Sequence, residues 1–166
     1  MCNLKPGIKH VAMTKFSCTV RINCSIDIVY RAYIDPDNML KWSTDLERFE
    51  IIKGAFGEIG ATARLYYNQN GRISIMEDVL EYIEPGRKLI SRVSGGGLLV
   101  SVETVFTPFD DSTELTISWN GTGGNMLIRL LLPFLRNRIR KRAQAELEKF
   151  RNFVEVYGEK FPDDPL

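Results

Sequence analysis

Residues 16–42 read FSCTVRINCSIDIVYRAYIDPDNMLKW, and this stretch sets the fold. Phe16, Cys18, Val20 and Ile22 alternate with Ser17, Thr19 and Arg21. A period of two describes a strand with one buried face. The polar run 23–27 then offers capping residues ahead of Ile28, Val29, Tyr30 and Tyr33, which are spaced for a short helix. Asp35-Pro36 ends that helix, and Pro36 suits the first turn of a second short helix reaching about Trp42.

Beyond this opening the chain turns to strands. Residues 49–53, 61–67, 72–84, 88–94, 98–107 and 113–120 are rich in valine, isoleucine, threonine and tyrosine. Turn residues separate them: Gly54, Gly57 and Gly60, then Asn70-Gly71, Pro85-Gly86 and the triplet Gly95, Gly96, Gly97. Asn-Gly is a strong hairpin signal. After Gly121, Gly123 and Gly124 comes one long helix over 126–157, started or kinked at Pro133. Leu135, Ile139, Ala143, Phe150, Val154 and Tyr157 recur along it at helical spacing.

The predicted fold class is α+β, with a curved antiparallel sheet of about seven strands wrapped around the C-terminal helix. The two short helices follow strand 1. Residues 15–157 form one domain, flanked by tails at 1–14 and 158–166. Only the final helix, roughly 45 Å long at about 1.5 Å per residue, can cover one face of the sheet. A bent sheet gripping one helix leaves unfilled space beside it, the natural place for a small apolar molecule. This cavity is expected beneath the two short helices, beside the Leu131 and Leu135 end of the long helix. The glycine loops at 95–97 and 121–124, with 68–71, would ring its mouth.

Global properties exclude several classes. The 166 residues carry a net charge of +1, so nothing steers the chain to nucleic acid. The three cysteines, Cys2, Cys18 and Cys24, are odd in number and contain no CxxC, which argues for a reducing compartment. The run 1–15 lacks an apolar core of the kind a signal peptide needs. The apolar run 126–135 is broken by Arg129 and Pro133 and falls short of the roughly 20 residues that span a bilayer. The expectation is a soluble cytoplasmic protein without stable membrane insertion. A homodimer is compatible with it.

The opening stretch resembles that of the START-like helix-grip superfamily (SRPBCC), in its polyketide cyclase/dehydrase branch. The matching features are the first strand, the polar turn, Asp35, Pro36 and Trp42. "DVLEYIEPGRKLI" resembles the central hairpin of that branch, with Val79, Glu81, Pro85, Arg87 and Leu89. "FTPFDDSTELTISW" resembles its last hairpin and "AELEKFRNFVE" its closing helix. The resemblance covers about 16–155 and implies a helix-grip fold with an apolar cavity. It supplies no catalytic signature, since that broad family contains binders, lipid carriers and cyclases.

Individual constellations are modest. His10, the sole histidine, lies in the N-terminal tail, so neither a His-based catalytic set nor a His-ligated metal is expected. No cofactor is expected either. Gly54-x-x-Gly57-x-x-Gly60 is not spaced like a phosphate loop and reads as a turn. Arg136, Arg138, Arg140, Lys141 and Arg142 scatter around the helix and read as a solvated face, with contact to a membrane surface as the alternative. Glu146 is explained by an ion pair with Arg142 one turn earlier.

The strand 72–84 is the most informative. Both of its parities mix apolar residues with an acid, so either Glu77 or Asp78 faces inward. The family-like placement of Val79 favours Glu77. An inward carboxylate must find a partner or hold its proton more tightly. It is therefore the candidate general acid/base or polar ligand anchor, with Tyr67 or Arg92 as its helper. An ion pair with Arg64 or Arg92 is the purely structural account. The candidate cavity wall is Trp42, Phe56, Leu65, Tyr67, Val100, Phe106, Trp119, Leu131 and Leu135, with Arg92 as a polar contact. These features lead to the expectation of a protein that binds a small hydrophobic ligand, such as a lipid, polyketide or aromatic compound. The alternative is a cyclase/dehydrase- or hydratase-type enzyme using the inward carboxylate.

Overall fold

The structure, a computed structural model, describes residues 14–123 and 126–158, with 126–133 as backbone. Strand β1 (Thr14–Ile22) is followed by α1 (Ile26–Ile34) and α2 (Pro36–Trp42). Six further strands are β2 (Leu46–Lys53), β3 (Thr62–Gln69), β4 (Arg72–Glu84), β5 (Lys88–Gly95), β6 (Leu98–Phe109) and β7 (Ser112–Gly123). Helix α3 (Met126–Tyr157) closes the chain. The order matches the expectation from sequence; β4 has the expected bounds, β3 starts one residue later, and the other strands extend by one to three residues at an end. His10 and Cys2 lie outside the described residues.

The sheet has seven strands in the order β1-β7-β6-β5-β4-β3-β2, and every pairing is antiparallel. Only the first strand leaves its sequence neighbour, because α1 and α2 carry the chain from one edge to the other. Asp35 serves both helices: its amide ends α1 on the Arg31 carbonyl, and its side chain accepts from the Asp37 amide to start α2. Pro36 then occupies the first turn, where its missing N–H costs nothing.

The concave face is closed at one end. Ile22, Leu115, Val29, Phe150 and Val154 are fully buried there, joined by Phe106, Ile117 and Leu147. A ring cluster of Tyr33, Trp42, Phe106 and Phe150 fills the space beneath α1, with centroids 5.0–6.0 Å apart. Each such side chain contributes about 1.5–3 kcal/mol of transfer free energy on burial. The space directly under α1, where a cavity was expected, is thus packed with side chains.

Helix α3 is gripped from both sides. Gln144 Nε2 donates to the Thr19 carbonyl of β1 at 3.2 Å, and the Cys18 thiol donates to the Arg140 carbonyl at 3.6 Å. On the opposite side Arg142 pairs with Asp45 at 2.6 Å. Toward the β3–β4 and β5–β6 hairpins the concave face opens. Tyr67, Met76, Asp78, Leu80, Ser91, Val93, Val100, Val102 and Trp119 are only half-buried. The β5–β6 turn lies tight on β4: a Cβ on Gly95 would stand 2.5 Å from the Ile75 carbonyl oxygen, so only glycine fits.

Candidate functional site

The phase of β4 decides which carboxylate enters this open stretch. Asp78 lies across from Ala63 on β3 and Val93 on β5, and Ala63 is buried. Asp78 therefore shares the concave face. Glu77 lies across from Arg64 and bonds it at 2.8 Å on the convex face. Arg92 is also convex, bound to Glu81 at 2.6 Å. A bulge between Leu80 and Tyr82 shifts the register, so Tyr82 turns outward and is exposed. The bulge exchanges the faces of Tyr82 and Ile83, while upstream the exposed Ile73 and Ile75 share the convex parity of Glu77; together they make both parities look mixed in the sequence.

Asp78 Oδ1 is withdrawn from solvent and has no hydrogen-bond partner. Burial raises the pKa of its carboxyl, opposed by the neighbouring Ser91 hydroxyl. Two phenols flank it. Burial pushes Tyr33 up to about 12, opposed by its 3.1 Å hydrogen bond with Thr104 and reinforced by the charges of Asp78 and Glu146. Burial likewise pushes Tyr67 up to about 12, reinforced by Glu146 and Asp78 and opposed by the Ser43 hydroxyl.

Glu146 projects from α3 toward the same group. It accepts from the Thr44 amide at 2.6 Å and the Ser43 hydroxyl at 3.1 Å. The expected Glu146–Arg142 pair does not form, because Arg142 is taken by Asp45 across the groove. The Trp42 indole N–H, in the ring cluster, is buried without a partner. Four elements thus bring Asp78 and Glu146 close enough to Tyr33 and Tyr67 for their charges to oppose ionisation of the two phenols. Protonated phenols and a carboxyl in apolar surroundings can donate to or accept from a carbonyl or hydroxyl, and can pass a proton to one.

The expected wall residues separate into groups. Tyr67, Val100 and Trp119 line the half-open face, with Trp119 stacked on Phe16 at 4.9 Å. Leu65 is buried beside Leu46 and Ala63. Trp42 and Phe106 belong to the closed ring cluster. Phe56 sits outside, in the β2–β3 connection, against Phe49. Leu135 is 44% exposed, and the Leu131 side chain lies outside the described residues. Sequence reasoning missed Tyr33 and Ser91. Tyr33 stands one turn from buried Val29, and Ser91 interrupts the apolar parity Leu89–Val93; either break in pattern could have drawn notice.

Among the described residues no three His, Cys, Asp or Glu side chains cluster as metal ligands, and Cys18 is a free thiol. No helix of the described residues is long and apolar enough to cross a membrane.

The family model described as polyketide cyclase/dehydrase and lipid transport matches residues 13–155. The chain belongs to this family. Several solved structures share its fold at low identity. The Zhui aromatase/cyclase from Streptomyces sp. R1128 superposes with a TM-score of 0.72 at 17% identity, over 87% of this chain and 95% of that one. A START superfamily protein from Mycobacterium smegmatis gives 0.67 at 16%, over 88% and 97%. The Staphylococcus aureus protein SA2116, of unknown function, gives 0.74 at 12%, over 90% and 98%. No curated protein sequence matches the chain. The comparisons therefore show family membership over residues 13–155 and a fold shared with these structures.

Proposed function

We propose that the half-open concave face binds a small, largely apolar molecule carrying one hydroxyl or carbonyl group, which docks on Asp78. The observation that carries this reading is Asp78 Oδ1, shielded from water and without a hydrogen-bond partner on the half-open face. Buried polar atoms in native proteins are nearly always satisfied. A ligand group completing this one would gain a hydrogen bond in a low-dielectric setting. Apolar flanks at Met76, Leu80, Val93 and Val100 would supply the remaining affinity.

The test is native mass spectrometry of the protein purified from its own host, beside displacement of a fluorescent apolar probe. Wild type should carry a bound small molecule, and Asp78→Ala should weaken its retention about tenfold or more. Absence of any captured molecule together with no probe binding would overturn the reading.

A second reading, an enzyme that dehydrates or cyclises such a molecule, is favoured by the convergence of Tyr33, Tyr67 and Glu146 on Asp78. It predicts that the molecule trapped by Asp78→Asn differs from that held by wild type as substrate differs from product: heavier by one water for a dehydration, or of equal mass but different fragmentation for a cyclisation. Identical masses with identical fragmentation would leave the binder alone standing.

A further inference from the structure

A cavity of about 640 Å³ lies away from Asp78. Lys15, Ser17, Ser118 and Asn120 contribute from adjacent positions on β1 and β7, where Lys15 faces Asn120 and Ser17 faces Ser118. These positions have the opposite parity to buried Cys18 and Ile117, so they belong to the convex side of the sheet. Arg136 and Arg140 complete the groove from α3, four residues apart and hence on one helix face, alongside the edge strand β1, and Phe16 and Trp119 of the concave parity also line it.

We infer that this groove binds the phosphate group of a small hydroxyl-bearing molecule. Lys15, Arg136 and Arg140 are exposed cations, and none has a carboxylate partner among the described residues. The acid that lies in the groove, Glu103, is already held by Lys88 at 2.8 Å. Serine hydroxyls at 17, 101 and 118 add donors to the same groove. Guanidinium groups and hydroxyls together form the donor set that recognises a phosphate oxyanion. Asn120 Oδ1 is buried without a partner and needs a donor, which a hydroxyl beside the phosphate supplies. Two sources carry this chemistry: a soluble phosphorylated polyol and the glycerol-phosphate headgroup of a phospholipid.

The experiment titrates isotope-labelled full chain with glycerol 3-phosphate. In parallel, vesicles of phosphatidylcholine with and without phosphatidylglycerol are sedimented with the protein. Either saturable shifts at Lys15, Ser17, Ser118 and Asn120, or co-sedimentation that requires phosphatidylglycerol, is expected. The first identifies the soluble source and the second the headgroup. In either arm Arg136→Gln/Arg140→Gln should weaken binding about tenfold or more at unchanged Tm, and added salt should weaken wild type. Lys15→Glu tests the same site from the sheet side and should also abolish binding. Asp78→Asn should leave it intact, which separates this site from the concave one. No binding in both arms, or binding indifferent to the arginine and lysine changes, overturns the inference.

Discussion

Glu146 of α3 accepts a hydrogen bond from the backbone amide of Thr44 at 2.6 Å, tying the turn after α2 to the middle of the long helix. Lys149 adds a second tie, donating to the Thr44 hydroxyl at 2.9 Å. The carboxylate that helps set the electrostatics of the site also holds the covering helix to the chain entering β2.

Removing that carboxylate should therefore have two separable effects. Glu146→Ala leaves the Thr44 amide unpaired, and urea unfolding should show a loss of about 1–3 kcal/mol. It also removes a charge that opposes ionisation of Tyr33 and Tyr67, so both phenols should ionise at lower pH. Glu146→Gln should restore much of the stability without restoring the tyrosine titration.

Asp78 should cost stability at neutral pH. Its folded-state pKa is raised by burial above the ordinary 3.8. Its stabilising share is thus complete below that ordinary value and is lost as pH rises through the folded-state pKa. Asp78→Asn should be more stable than wild type at pH 7, and the gap should close in acid. Chemical denaturation across that range measures it; a gap that is absent at pH 7 or widens in acid contradicts the burial of the carboxyl.

The tyrosines offer an alkaline counterpart. Tyr33 and Tyr67 ionise near 12 against an ordinary 10.0. Protonated, they stabilise the fold fully below 10, and that share disappears as pH rises through about 12. Ultraviolet titration of phenolate absorbance should show a late component in the native protein that merges with the rest in denaturant. Tyr33→Phe and Tyr67→Phe should each remove part of it.

The closed and open ends of the concave face should respond differently to truncation. Phe150→Ala removes a fully buried ring in contact with Tyr33 and Trp42 and should cost about 3–5 kcal/mol. Val100→Ala, on the half-buried stretch, should cost under about 1 kcal/mol while changing probe affinity. Equal costs would mean that the two ends are equally packed.

Much of this architecture is visible in residues 16–42 and in the turn signals, because period-two alternation and Asp35-Pro36 act locally. The choice between Glu77 and Asp78 was not visible. It depends on a single extra residue in β4 near Glu81, and on Arg64 lying opposite Glu77 once β3 pairs. Glu146 misled for a related reason: its helical neighbour Arg142 is nearer in sequence, but Asp45 reaches Arg142 across the groove. Periodicity reports which face a residue takes within its own element. It does not report which partner another element will bring.

The division of the concave face into a close-packed end and a half-buried end has an evolutionary consequence. Substitutions at Phe150, Leu115 or Val29 meet a selective filter set by folding, whereas those at Val93, Val100 or Met76 meet a much weaker one. Lineages can drift through new specificities at the second group while inheriting the first unchanged, a route by which chains only 12–17% identical keep one backbone.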